Sequence, residues 1–123
     1  MATAIEQARS NVKWASGVDM LVGLWLAVSP FFLGFAVYSG ALWNSVIVGV
    51  AVLLLAGSRE MGDGYKVAWP SWVNAILGLW LIASPFIIGY SFLQTALWNH
   101  VIAGALVVVL ATWSALATPR EGM

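Results

Sequence analysis

The sequence predicts an all-α integral membrane protein, a four-helix bundle made of two tandem helical hairpins. Three observations carry that expectation. Of 123 residues, 62% are hydrophobic and only 8% charged, and the mean hydropathy is +0.92. A soluble domain is nearer half apolar and a quarter charged, and a chain this short could not hide so much apolar surface from water. Second, four apolar runs stand out, about 17–38, 42–58, 72–92 and 97–117. Each approaches the ~20 residues with which a helix crosses a ~30 Å hydrocarbon core, the second run being the shortest. Third, the chain repeats itself: 14–58 lies over 69–113 without a gap, with about 21 of 45 positions identical, and such self-similarity marks a repeated supersecondary unit.

The elements follow in order. Residues 1–13 are polar and mixed in charge and lack the apolar core and cleavage site of a secretory signal. They are expected to stay on the protein as a cytoplasmic segment, a short interfacial helix. Residues 14–58 form the first repeat, with GLWLAVSPFFLGF in its first helix and ALWNSVIVGVAVLLLA in its return. Residues 59–68 are a loop, and the stretch SREMGDGYK that leads through it from Ser58 is better suited to a turn than to cradling phosphate. Residues 69–117 repeat the hairpin with GLWLIASPFIIGY and ALWNHVIAGALVVVLA, and 118–123 are a tail. No run shows the sustained alternation of a barrel strand. An even number of crossings per copy gives both hairpins the same orientation, so a pseudo-two-fold along the membrane normal should relate them.

Charge sets the direction. Arg9, Lys13, Arg59, Lys66 and Arg120 all fall on one side, while the loops around Tyr38–Ala41 and Phe92–Ala96 hold no Lys or Arg. Positive-inside bias makes the basic side cytoplasmic, with both termini inside the plasma membrane. Trp14 and Trp69 then lie at the inner interface and Trp43 and Trp98 at the outer one, as aromatic belts. The formal net charge is zero, which predicts no nucleic-acid partner. Without cysteine there is no disulfide, thiolate nucleophile or thiolate metal site.

Ser29-Pro30 and Ser84-Pro85 recur at the same place in the first helix of each copy, Pro roughly 14 residues into the apolar run. Proline lacks an N–H, so the carbonyls of Leu26 and Leu81 lose their helical partners and a kink is expected. Ser29 and Ser84 can satisfy their own preceding turns. Two readings stay open: a fixed kink that shapes packing, or a hinge whose opened carbonyl binds a ligand. The second would need strongly polar residues to converge nearby, and none is expected to. On these residues the unit resembles the SPW repeat of a family of small prokaryotic membrane proteins, with SPF in place of SPW at Phe31 and Phe86. The resemblance covers nearly the whole chain. It implies membrane residence and four helices, and no activity, cofactor or catalytic residue.

The remaining polar residues are few. Asp19 falls within about a turn of the inner interface, with Asn74 as its repeat partner. An Asp19–Arg59 ion pair is the structural expectation, interfacial hydration and proton coupling the alternatives. His100 stands where the first copy has Ser45 and is expected to be hydrated at the interface. A lone His makes a poor metal site, so no metal or cofactor is expected. Asn44 and Asn99, kept in both ALWN motifs, could cap backbone donors. They could also reach across to the carbonyls freed by Pro30 and Pro85 as packing glue, or line a polar cavity. Gly23 with Ala27, Ser45 with Gly49, and Gly78 and Gly104 permit close helix contact, within one chain or between chains.

No nucleophile–base pair, metal cluster or phosphate loop appears, so no enzymatic activity is expected. The expected function is that of a structural or assembly module in membrane lipid, as a homo-oligomer or an accessory subunit of a larger complex. The alternative is a small transporter or channel for a neutral or weakly polar solute.

Overall fold

A computed structural model describes residues 4–119. Four helices follow in order: α1 (Ala4–Leu33), α2 (Ser39–Ser58), α3 (Trp69–Ser84) and α4 (Gln94–Leu116). A 3-10 turn, Gly64–Lys66, interrupts the central loop, and α3 runs on into a π-helical turn, Pro85–Gly89. With the π-helical turn continuing α3 to Gly89, all four are long and apolar enough to cross a membrane, and no strand occurs among the described residues. The helices form a ring: α1 packs on α2 and α3 on α4 within the hairpins, and α1 meets α4 and α2 meets α3 between them.

Lipid tails are as apolar as leucine, so helices in a membrane associate through close packing and hydrogen bonds. Both hairpins solve the packing problem with one crossing. A Cβ on Gly49 would stand 2.6 Å from the Ala27 nitrogen and 2.7 Å from the Gly23 oxygen. In the second copy, a Cβ on Gly104 would stand 2.6 Å from the Gly78 oxygen. Contacts this short admit no side chain, so the small-residue pairs serve crossings inside each hairpin. The interior is filled by repeat-related residues: Leu26 with Leu81, Val48 with Ala103 and Val52 with Val107 make one buried cluster. Phe35 with Tyr90 and Ala41 with Ala96 make a second. Each cluster draws equivalent residues from both copies, as a pseudo-two-fold running through the bundle requires.

Two expectations change. The N-terminal segment is no separate interfacial helix, because α1 is continuous from Ala4. The prolines lie near the ends of their helices: Pro30 is inside α1, in its last turn, and Pro85 directly follows α3 and opens the π-helical turn. The apolar run 17–38 overstates the helix, which stops at Leu33. Gly34 (φ +82°) and Gly89 (φ +101°) take the left-handed conformation that ends helices. Pro30 therefore helps close the helix, and its carbonyl accepts from the Gly34 and Phe35 amides, each at 3.1 Å.

The basic residues among those described gather at one end of the bundle. Arg9 and Lys66 both lie over the Tyr65 ring, at 5.6 and 5.7 Å. Arg120 and the outermost residues of both terminal segments lie outside the described residues. Trp14 and Trp69 toward this end, and Trp43 and Trp98 toward the hairpin turns, are all exposed on the bundle surface.

Candidate functional site

The buried polar side chains fall into two tiers separated by the leucine–valine cluster. The tier toward the hairpin turns is built on the Ser-Pro motifs. Ser29 donates to the Leu26 carbonyl at 3.1 Å and Ser84 to the Leu81 carbonyl at 3.0 Å, so each serine covers the carbonyl that its proline leaves without a partner. Ser45 adds a second bond to Leu26, at 2.5 Å.

The asparagines reach further than their own hairpins. Asn99 Nδ2 donates to Ser29 Oγ at 3.0 Å, and its Oδ1 accepts from Trp25 Nε1 at 2.8 Å. Asn44 Nδ2 donates to Ser84 Oγ at 2.9 Å, and its Oδ1 accepts from Trp80 Nε1 at 2.7 Å. An indole N–H can only donate, which fixes the amide with its oxygen toward Trp and its nitrogen toward Ser. Each copy thus supplies a Trp and a Ser one helical turn apart on its first helix, and the Asn from the other copy bridges them. Neither asparagine caps a helix. The first residues of α2 and α4 are Ser39 and Gln94, more than a turn upstream.

Within this tier the copies differ at a linked pair of positions. Phe35 and Ser45 in the first become Tyr90 and His100 in the second. Tyr90 OH lies 2.6 Å from His100 Nδ1 and accepts from Asn44 Nδ2 at 2.7 Å. His100 is wholly buried and meets Phe35 edge-on, ring centroids 5.6 Å apart. It is therefore no hydrated interfacial residue. Its Nε2 has no partner among the described residues.

The second tier lies toward the termini. Ser114 Oγ receives Ser71 Oγ at 3.0 Å and sits 2.9 Å from Ser16 Oγ, joining α1, α3 and α4. Arg59, just past the end of α2, is fully buried. It donates to the Ser114 carbonyl at 2.9 Å, to Thr118 Oγ1 at 2.5 Å and to the Val67 carbonyl. Burial pushes its guanidinium down to about 10, which leaves it charged at neutral pH.

The expected Asp19–Arg59 ion pair is not formed. An ion pair does form between Lys66 and Asp63 in the central loop, at 3.9 Å. Arg59 is turned instead onto backbone carbonyls at the end of α4, where the helix dipole is negative. Asp19 is buried with Oδ1 unpartnered among the described residues, and so is Asn74 Oδ1, although Asn74 Nδ2 donates to the Val52 carbonyl at 3.3 Å.

Polar residues therefore do converge at the Ser-Pro motifs, against expectation. Trp25, Trp80, Ser45 and Tyr90 were absent from the expected set. The signal for the tryptophans was present: each lies four residues before its Ser-Pro serine, a spacing that puts both on one helix face. No group of three or more His, Asp or Glu suited to a metal occurs among the described residues.

A family model described as the SPW repeat domain matches residues 13–114. No curated protein and no solved structure matches the chain.

Proposed function

The chain belongs to the SPW repeat family and is a small multi-pass membrane protein, and from that premise we propose that it is a non-enzymatic structural and assembly module. On this reading its termini face the cytoplasm across the plasma membrane, and it acts by self-association or as an accessory subunit. The observation that carries it is the use made of the buried polar groups. Serine, asparagine and tryptophan in the tier around the Ser-Pro motifs are committed to one another across the two repeats. Groups spent on holding two hairpins together are not free to bind and release a solute.

A second reading, a small transporter or channel for a neutral or weakly polar solute, draws support from Asp19 and Asn74. Their unpartnered oxygens lie inside the bundle, where polar groups are costly to bury. One experiment separates the two. Purified protein in lipid particles is weighed with whatever co-purifies, and reconstituted vesicles are assayed for solute flux. The assembly reading predicts a discrete oligomer or a stoichiometric foreign subunit, with flux equal to that of empty vesicles. Saturable flux that Asp19→Asn abolishes while the protein stays folded would establish the transporter instead.

A further inference from the structure

The two repeats part company at the terminal end of α1. This helix has 30 residues against 16 in α3, and its extra turns carry charges that the second copy lacks. Arg9, Lys13 and Glu60 correspond to Gly64, Ala68 and Ala115, and Gly17 corresponds to Trp72. The extension borders a groove of about 770 Å³ that holds two cations, Arg9 and Lys13, and two carboxylates, Glu6 and Glu60. Glu60 forms part of its floor against Gly17, where a Cβ would lie 3.4 Å from Oε1. That oxygen is buried and unpartnered among the described residues. Burial raises the Glu60 carboxyl above its ordinary value, and Lys13 pulls it back.

The groove does not stop at the charges. Through Val18 and Leu21 it runs into an apolar cleft of about 310 Å³ between α1 and α4, lined further by Ile102 and Leu106 and reaching Trp25. From Lys13 to Trp25 is twelve residues of helix, about 18 Å at 1.5 Å per residue. That matches one leaflet, half of a ~30 Å hydrocarbon core. A cleft of that length and lining fits the acyl chain of one lipid.

We propose that this groove is a binding site for a zwitterionic aminophospholipid in the leaflet on the terminal side. Arg9 and Lys13 take the phosphate, Glu60 accepts from the ammonium, and one acyl chain lies along Val18, Leu21 and Ile102. Trp14, exposed beside the groove, stands at headgroup depth. The Glu60 carboxylate, part of the groove's lining, selects the lipid. It asks for a donor, which an ethanolamine ammonium supplies and a phosphocholine or phosphoglycerol headgroup does not supply as a cationic N–H.

The test is native mass spectrometry of the full chain released from micelles doped with phosphatidylethanolamine, phosphatidylcholine or phosphatidylglycerol of identical acyl chains. The expected result is one retained phosphatidylethanolamine per chain, preferred about 5-fold or more over the other two, a free-energy difference near 1 kcal/mol. Glu60→Gln should erase the preference while lipid is still retained. Val18→Trp, filling the apolar cleft from an exposed position, should reduce retention of all three. Circular dichroism confirms that each variant is folded; if Glu60→Gln is not, Lys13→Gln replaces it and should weaken all three lipids alike. Equal retention of the three lipids, no retained lipid, an unchanged preference in folded Glu60→Gln, or a lipid-free dimer would overturn the site.

Discussion

The Asn99 amide donates to the Ser29 hydroxyl at 3.0 Å, across 70 residues of chain and from one repeat into the other. Asn44 and Ser84 make the same bond in reverse at 2.9 Å. Side-chain hydrogen bonds between membrane helices are worth about 0.6–2 kcal/mol each, so the pair is a substantial part of what holds the two hairpins in register. The same serines cover the carbonyls that Pro30 and Pro85 leave open. Termination of the first helix and docking of the opposite hairpin thus depend on one side chain.

Asn44→Ala should destabilise the protein more than Asn99→Ala. Asn44 meets Ser84, Tyr90 and Trp80, whereas Asn99 meets Ser29 and Trp25. Equilibrium unfolding in mixed micelles should show losses of about 1–3 kcal/mol, ordered in that way.

Tyr90→Phe and His100→Ser restore at each position the residue of the first copy. Alone, Tyr90→Phe leaves His100 Nδ1 buried without its 2.6 Å partner and should cost about 1–3 kcal/mol. Combined, the two should cost less than their sum, with a coupling of about 0.5–3 kcal/mol in a double-mutant cycle. Additive losses would show that the two substitutions between copies are independent.

Asp19→Asn should leave stability unchanged or raise it. It places at position 19 the residue found at its repeat partner Asn74 and removes a buried acid that has no cation against it. Arg59→Ala should be harmful, since it strips donors from Val67, Ser114 and Thr118 together. Were the two an ion pair, removing either partner would be strongly destabilising, by about 3–5 kcal/mol. Thermal unfolding of the two variants in one detergent decides.

Gly49→Ala and Gly104→Ala should each loosen a hairpin, because the new Cβ meets backbone at 2.6 Å. Overpacking of this kind costs about 1–3 kcal/mol. Gly57→Ala is the control. Its Cβ meets only the Met20 methyl, at 3.6 Å, and alanine favours helix by up to about 1 kcal/mol over glycine.

Much of this architecture was legible in the sequence. The spans followed from hydropathy, the hairpin from the 55-residue repeat, and Ser29 and Ser84 from the chemistry of the proline that follows each. What escaped was everything decided by how one repeat faces the other. Asn44 could be seen as polar glue, but not as the partner of Ser84 and Trp80, because no periodicity within a helix tells which neighbour its polar face meets. The fate of Arg59 was hidden for a similar reason. A count of charges offers Asp19, whereas the fold offers carbonyls at the end of α4, which are invisible to residue type. The end of α1 was misplaced because the apolar run continues past Gly34 into the turn, and hydropathy cannot see a left-handed glycine.

Each asparagine bonds the serine of the opposite repeat, and on that exchange the register of the two hairpins depends. Double-mutant cycles measure it directly, with alanine at Asn99 and Ser29, at Asn44 and Ser84, and at the two same-repeat pairs, Asn44 with Ser29 and Asn99 with Ser84. Coupling of about 0.6–2 kcal/mol is expected for the cross-repeat pairs and values near zero for the same-repeat pairs. The opposite pattern would contradict it and would confine each asparagine to its own hairpin.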